Sequence, residues 1–129
     1  MSIKENINQI RALHAKKNIL ARQEREALRP MKTDCAEIAS ICQRFKEVAN
    51  PKYKDNSRIF VFIVIYMYSP SSIISGAIRR NGVRNEIAKV LGVRKPAVTR
   101  YFGDAKSLFL NHIGFRNEAE RIFQLISER

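Results

Sequence analysis

The thiol and imidazole side chains of this sequence, the kinds that most often bind transition metals, are Cys35, Cys42, His14 and His112. Their spacing does not gather them. Cys35 and Cys42 stand two helical turns apart, so on one helix their Cα atoms would be about 10 Å apart, too far for a disulfide. No zinc-ligand spacing includes either histidine. The acidic residues are scattered singly, no glycine-rich phosphate loop occurs, and neither histidine has an evident catalytic partner. The expectation is a protein that is not an enzyme, with no metal and no cofactor. Both cysteines read as small core residues, and His112, beside Phe109 and Ile113, as a packed or capping histidine. What the sequence does concentrate is positive charge. From Arg79 to Lys106 there are eight basic residues (Arg79, Arg80, Arg84, Lys89, Arg94, Lys95, Arg100 and Lys106) against Glu86 and Asp104, which leaves +6, half of the +12 carried by all 129 residues. A basic excess of this size calls for a polyanionic partner.

The centre of that charge is residues 84–102, RNEIAKVLGVRKPAVTRYF. It reads as a helix, a glycine and a second helix opening with Arg-Lys-Pro. Ala88 is small where the two helices would cross, and Gly92 suits a turn that needs positive φ. Ile87, Leu91, Val93 and Val98 would form the small core that fixes the crossing. Pro96 falls in the first helical turn, where its missing N–H is tolerated. These positions, with Tyr101-Phe102 after them, resemble the helix-turn-helix of prokaryotic and phage DNA-binding proteins.

The resemblance covers about twenty residues and implies that the second helix enters the major groove of double-stranded DNA. Lys95, Pro96, Ala97, Thr99 and Arg100 then face outward, with Gly103 at the edge of the set. Arg100 is the candidate for a guanine contact, since a guanidinium can pair with both guanine acceptors. Thr99 would reach a base edge or a phosphate, and Lys95 a phosphate or a guanine. Ala97 would touch a thymine methyl or pack inward. Arg79, Arg80, Arg84, Arg94 and Lys106 flank the motif and would meet phosphates. Arg94 departs from the family, which often has Ser or Thr as N-cap there; the second helix is then capped less well, or its N-terminus awaits a phosphate. The order of elements ending in VTRYFGDAKSL is also similar in outline to all-helical modules of the trp-repressor and replication-initiator C-terminal type. Residues 79–83 fit neither of those two groups.

Elements must hold this motif in place. Residues 3–28 predict one long helix with a narrow stripe (Ile3, Ile7, Ile10, Leu13, Leu20, Leu28) on a basic body, ended by Pro30. Such a helix would pack across the core, pair with a second copy, or lie along an anion. Asp34, with Glu37 three residues on, predicts the cap of a helix bearing Cys35, Ile38, Ile41, Cys42, Phe45 and Val48, stopped by Asn50-Pro51. The run IFVFIVIYMY, residues 59–68, has strand-like residues but no second run to pair with it, so its backbone is satisfied only as a central helix. Asp55, Asn56 or Ser57 would cap it. Ser69-Pro70 predicts the start of a short helix ending at Asn81-Gly82. A further short helix is expected from Asp104, and a last amphipathic one with Phe115, Ala119, Ile122, Phe123 and Ile126 on one side.

The sequence thus predicts an all-α helical bundle: an arm at residues 1–30 and a single DNA-binding domain at 31–129. The apolar run at 59–68 is too short to span a bilayer, which takes about 20 residues as a helix. The polar, periodic start carries no secretory leader, so a cytoplasmic location is the default. A membrane-surface role is disfavoured because the arm has no Trp or Phe anchor. The expected function is sequence-specific binding of double-stranded DNA, as a transcriptional regulator of bacterial, phage or mobile-element type. A homodimer is expected, since one motif reads only a few base pairs; the arm is the first candidate interface and residues 115–126 the second. No small-molecule ligand is evident. The alternatives are a non-enzymatic protein-binding or structural helical module, or a phage replication or excision accessory factor.

Overall fold

The computed structural model describes residues 2–78 and 82–127. Arg79 and Arg80, counted above among the DNA-contacting cations, lie outside the described residues. Among those described there are seven α-helices and no strand: α1 (Ile3–Ala27), α2 (Ile38–Val48), α3 (Asn56–Tyr68), α4 (Ser72–Ser75), α5 (Val83–Leu91), α6 (Lys95–Asn111) and α7 (Ile113–Ser127), with a 3-10 turn (Cys35–Glu37) leading into α2. The protein is all-α.

α3 is the axis of the bundle. From Ile59 to Tyr68 only Tyr66 is exposed. A helix apolar on every side has to be surrounded, and α2, α4, α5, α6 and α7 all pack on it. α2 contributes Ile38, Ile41, Cys42 and Phe45, and α7 contributes Phe115, Ala119, Ile122 and Ile126, each set spaced as one helical face. Phe45 meets Phe60 edge-on at 5.3 Å between ring centroids.

The segment after the arm is fastened to the end of α3. The Met31 and Lys32 N–H groups donate to the Met67 carbonyl at 2.9 and 3.1 Å, and the fully buried Tyr68 hydroxyl donates to the Asp34 carbonyl at 2.7 Å. Burial, with the Glu37 carboxylate, Cys35 and Asp34 nearby, pushes Tyr68 up to about 12. A phenol that holds its proton longer in the folded state contributes stability that is whole below its ordinary value near 10 and is lost as pH rises toward 12. Wild type is therefore expected to lose on the order of 2–3 kcal/mol across that interval, and Tyr68→Phe to lose less over the same interval. Urea denaturation of both proteins at stepped alkaline pH checks this; Tyr53, also raised by burial and by Asp55 and Glu118, is common to the two.

Three boundaries differ from the sequence expectation. Asp34 does cap, its carboxylate accepting from the Ala36 N–H at 3.0 Å, but it caps the 3-10 turn, and Glu37 pairs with Lys32 rather than folding back on the cap. The helix predicted from Ser69-Pro70 begins at Ser72 and ends at Gly76, whose φ of +77° takes the left-handed turn first. Ser69 instead shares a buried 2.8 Å hydrogen bond with the Ser72 hydroxyl. Asn81, half of the predicted stop, lies outside the described residues, while Gly82 precedes α5 at φ +91°. Finally, no new helix starts at Asp104. α6 runs on through Gly103, which faces open space. Glycine inside a helix costs about 1 kcal/mol; burial of Val98, Phe102 and Ala105 along one continuous face outweighs it.

α1 stands apart in its chemistry. It opens with a reciprocal capping box, the Ser2 hydroxyl accepting from the Glu5 N–H at 3.1 Å and Glu5 accepting from the Ser2 N–H at 3.2 Å. It then buries no residue at all: its apolar stripe is solvated, from Ile7 at 43% to Ile3 at 81%.

Candidate nucleic-acid interface

α5 and α6 form two helices joined by a tight turn. Val83, Ile87 and Ala88 of α5 and Val98 and Phe102 of α6 are buried, with Leu91 and Val93 packed against the same core. The joint is a Schellman turn. The Gly92 N–H donates to Lys89 at 3.3 Å, and the Val93 N–H reaches back to the Ala88 carbonyl at 3.0 Å, with Gly92 at φ +68°. A Cβ on Gly92 would meet nothing within 4 Å, so only the backbone resists substitution there. Gly92→Ala is expected to cost about 1–2 kcal/mol, the left-handed penalty of an L-residue, seen as a lower urea midpoint at unchanged slope.

The N-terminus of α6 is open. Arg94 is its N-cap residue in extended conformation and offers no side-chain hydrogen bond, and Pro96 stands in the first turn. Around this opening Arg84, Arg94, Lys95, Pro96, Thr99 and Arg100 are all exposed, and Ala97 is half-buried. The Arg84 guanidinium donates to the Thr99 hydroxyl at 3.2 Å, which ties the start of α5 to the outer face of α6. Lys95 and Thr99 are one helical turn apart, about 6 Å along the axis. Arg100 lies beside them and rests over the Tyr101 ring, 5.6 Å from its centroid. Among the described residues, no carboxylate forms an ion pair with Arg84, Arg94, Lys95 or Arg100.

The structure also brings in a residue that no motif in the sequence singles out. Arg58 of α3 lies over the other participant of that stack, 5.3 Å from the Tyr101 centroid, and pairs with Asp104 at 3.1 Å and Asp55 at 3.5 Å. Asp104, one of the two acids set against the basic cluster, is thus engaged from a different helix. Nothing local in the sequence links positions 58 and 104; only the packing of α3 on α6 does.

Lys106 is placed differently from the rest of the predicted contact set. It lies about 10 Å along α6 from Thr99, half-buried, with its ammonium over the Phe102 ring at 5.6 Å. Several other cations are occupied as helix caps. Arg116 donates to the Phe109 and Leu110 carbonyls at 2.9 and 3.0 Å, Arg121 to Val48 at 3.0 Å, and Arg44 to Ile126 at 3.3 Å. Each satisfies carbonyls at a helix C-terminus, where positive charge is favoured.

The remaining chemistry-bearing residues have structural surroundings. Both cysteines are free, Cys42 within the core and Cys35 at its edge, and burial raises the Cys42 thiol. The His112 Nδ1 accepts from the Phe115 N–H at 3.1 Å and so caps α7. Among the described residues no group of three or more His, Cys, Asp or Glu could hold a metal ion, and no helix is long and apolar enough to cross a membrane. Comparisons with protein-family models, with curated proteins and with solved structures match nothing.

Proposed function

We propose that this chain binds double-stranded DNA sequence-specifically through α5, the Gly92 turn and α6, acting as a transcriptional regulator of bacterial, phage or mobile-element type and not as an enzyme. The observation that carries the proposal is the exposed, unneutralised set Arg84, Arg94, Lys95, Thr99 and Arg100 at the open start of α6. A rod with solvated cations along its first turns fits a major groove about 12 Å wide. The uncapped N–H groups of α6 point where a backbone phosphate would lie, and Arg94 and Lys95 would reinforce that contact. Arg84 holds Thr99 in place and is free to meet the neighbouring phosphate with its remaining donors.

The same proposal includes a homodimer. α1 exposes Ile3, Ile7, Ile10, Leu13, Ile19 and Leu20 together, and a lone helix gains little stability in water from propensity alone. A second α1 is the natural cover, and two copies would present two α6 helices to half-sites on one face of DNA.

Selection of bound sequences from a random duplex pool tests both parts. A consensus with two-fold symmetry is the expected outcome, with affinity for it falling steeply as salt rises, because each neutralised phosphate releases counterions. A pool that stays unenriched while binding remains salt-dependent would reduce the function to nonspecific nucleic-acid binding.

A further inference from the structure

A second site lies on the far half of α6. A cavity of about 390 Å³ opens between α3, α4, α6 and α7. That volume falls in the range of small-molecule pockets, about 300–1,000 Å³. Its walls are almost wholly apolar, and four of them are aromatic rings. Phe62 and Phe109 stack at 4.7 Å between centroids with planes 19° apart, and Tyr66 and Phe123 meet edge-on at 5.4 Å. The cavity is not a closed void: Leu110 at its lip is 71% exposed and Tyr66 42%.

Three of the lining residues carry polar ends. The Lys106 ammonium, the Glu120 carboxylate and the Tyr66 hydroxyl belong to lining residues, and none of them makes a hydrogen bond or ion pair with another described residue. They are not equivalent. Lys106 is half-buried, its ammonium over the Phe102 ring and 3.7 Å from where a Cβ on Gly76 would stand. Because position 76 is glycine, the space beside that ammonium stays open. Glu120 is exposed on the outer side, where water screens its charge. A half-buried cation without a counter-ion beside aromatic walls selects an anion attached to a flat apolar body.

We propose that this cavity is a binding site for a planar aromatic carboxylate. The ring system lies among Phe62, Tyr66, Phe109 and Phe123, and the carboxylate accepts from the Lys106 ammonium. The proposal is independent of DNA binding, since occupancy is read on the protein alone.

The test uses the full chain and two probes of nearly equal shape, 2-naphthoate and the neutral 2-naphthamide, in calorimetric titrations at low salt. Saturable binding of one naphthoate per chain is expected, about tenfold tighter than naphthamide, the factor that one charge-assisted contact of about 1.4 kcal/mol supplies. Lys106→Met keeps the side-chain stem over Phe102 and removes the charge, so it should erase the preference while retaining naphthamide binding. Lys46→Met, an equal loss of charge at an exposed position of α2, should leave the preference intact; thermal melts show that each variant is folded. No saturable binding to wild type, as would follow if α1 of a second copy filled the cavity, overturns the proposal. Equal affinity for the two probes, or a preference that survives Lys106→Met, overturns it as well.

Discussion

Arg100→Ala is expected to weaken binding to the selected DNA target by roughly 10- to 100-fold, the 1–3 kcal/mol of one bidentate guanine contact. Its effect on arbitrary duplex should be much smaller. Arg100 sits on the second turn of α6, exposed, with its guanidinium over Tyr101. An exposed cation–π contact of this kind is worth about 0.5–1 kcal/mol, enough to limit the rotamers of the free side chain and too little to compete with a base pair. Arg100→Lys sharpens the test. It keeps the charge, so the salt slope of log affinity should be unchanged, but an ammonium cannot fork onto two guanine acceptors, and discrimination should fall. Filter binding to target and scrambled duplexes across a salt series reads both quantities. A uniform loss on every sequence would make Arg100 a phosphate contact, and no loss would remove α6 from the interface.

Much of the fold was legible because its signals are local. The periodic apolar faces of α2 and α7, the stop at Pro30 and the left-handed glycine at position 92 each follow from residues within one or two turns. The central run of α3 is ambiguous by propensity and resolves to a helix by hydrogen-bond accounting, since no second strand-like run stands in the sequence to pair with it. What local pattern could not show was competition between elements. Gly76 ends α4 before any signal further on can act, and Gly103 fails to end α6 because Phe102 and Ala105 on either side of it are held by the core. The grouping of exposed Lys95, Thr99 and Arg100 on α6 follows from the spacing of one motif. The Arg84–Thr99 bond, the Arg58–Asp104 pair and the aromatic cavity do not, since each joins residues far apart in sequence that only packing brings together.

Net charge alone would also have misled about where an anion can act. Arg44, Arg116 and Arg121 are engaged at helix C-termini, Arg58 by two carboxylates, and Lys32 by Glu37. These cations hold the bundle together, and their side chains are already engaged within it. The set around α5 and α6 keeps its field because Asp104 is turned toward Arg58 and Glu86 forms no ion pair with another described residue. The useful quantity is therefore the charge left after internal pairing, and within the bundle it includes the set where α6 begins, while α1 carries a second solvated set.

That arrangement depends on α6 being held in one orientation, and Phe102 is the side chain with the most to lose there. It is 1% exposed, among the largest fully buried residues, and it stands one turn beyond Val98 on the face that α6 presents to α3 and α5. Phe102→Ala is expected to destabilise the protein by about 3–5 kcal/mol, the usual sum of lost transfer energy and cavity for a buried phenylalanine. Against a total of about 5–15 kcal/mol for a domain, that loss is a large share of what keeps the chain folded. Thr99→Ala, three residues earlier at an exposed position, should change stability by less than about 0.5 kcal/mol while weakening DNA binding. Urea denaturation of the two variants separates the roles. A small loss for Phe102→Ala would mean that α6 is held more loosely than its buried face implies, and an α6 free to rock could not present Lys95, Thr99 and Arg100 to a groove as one unit.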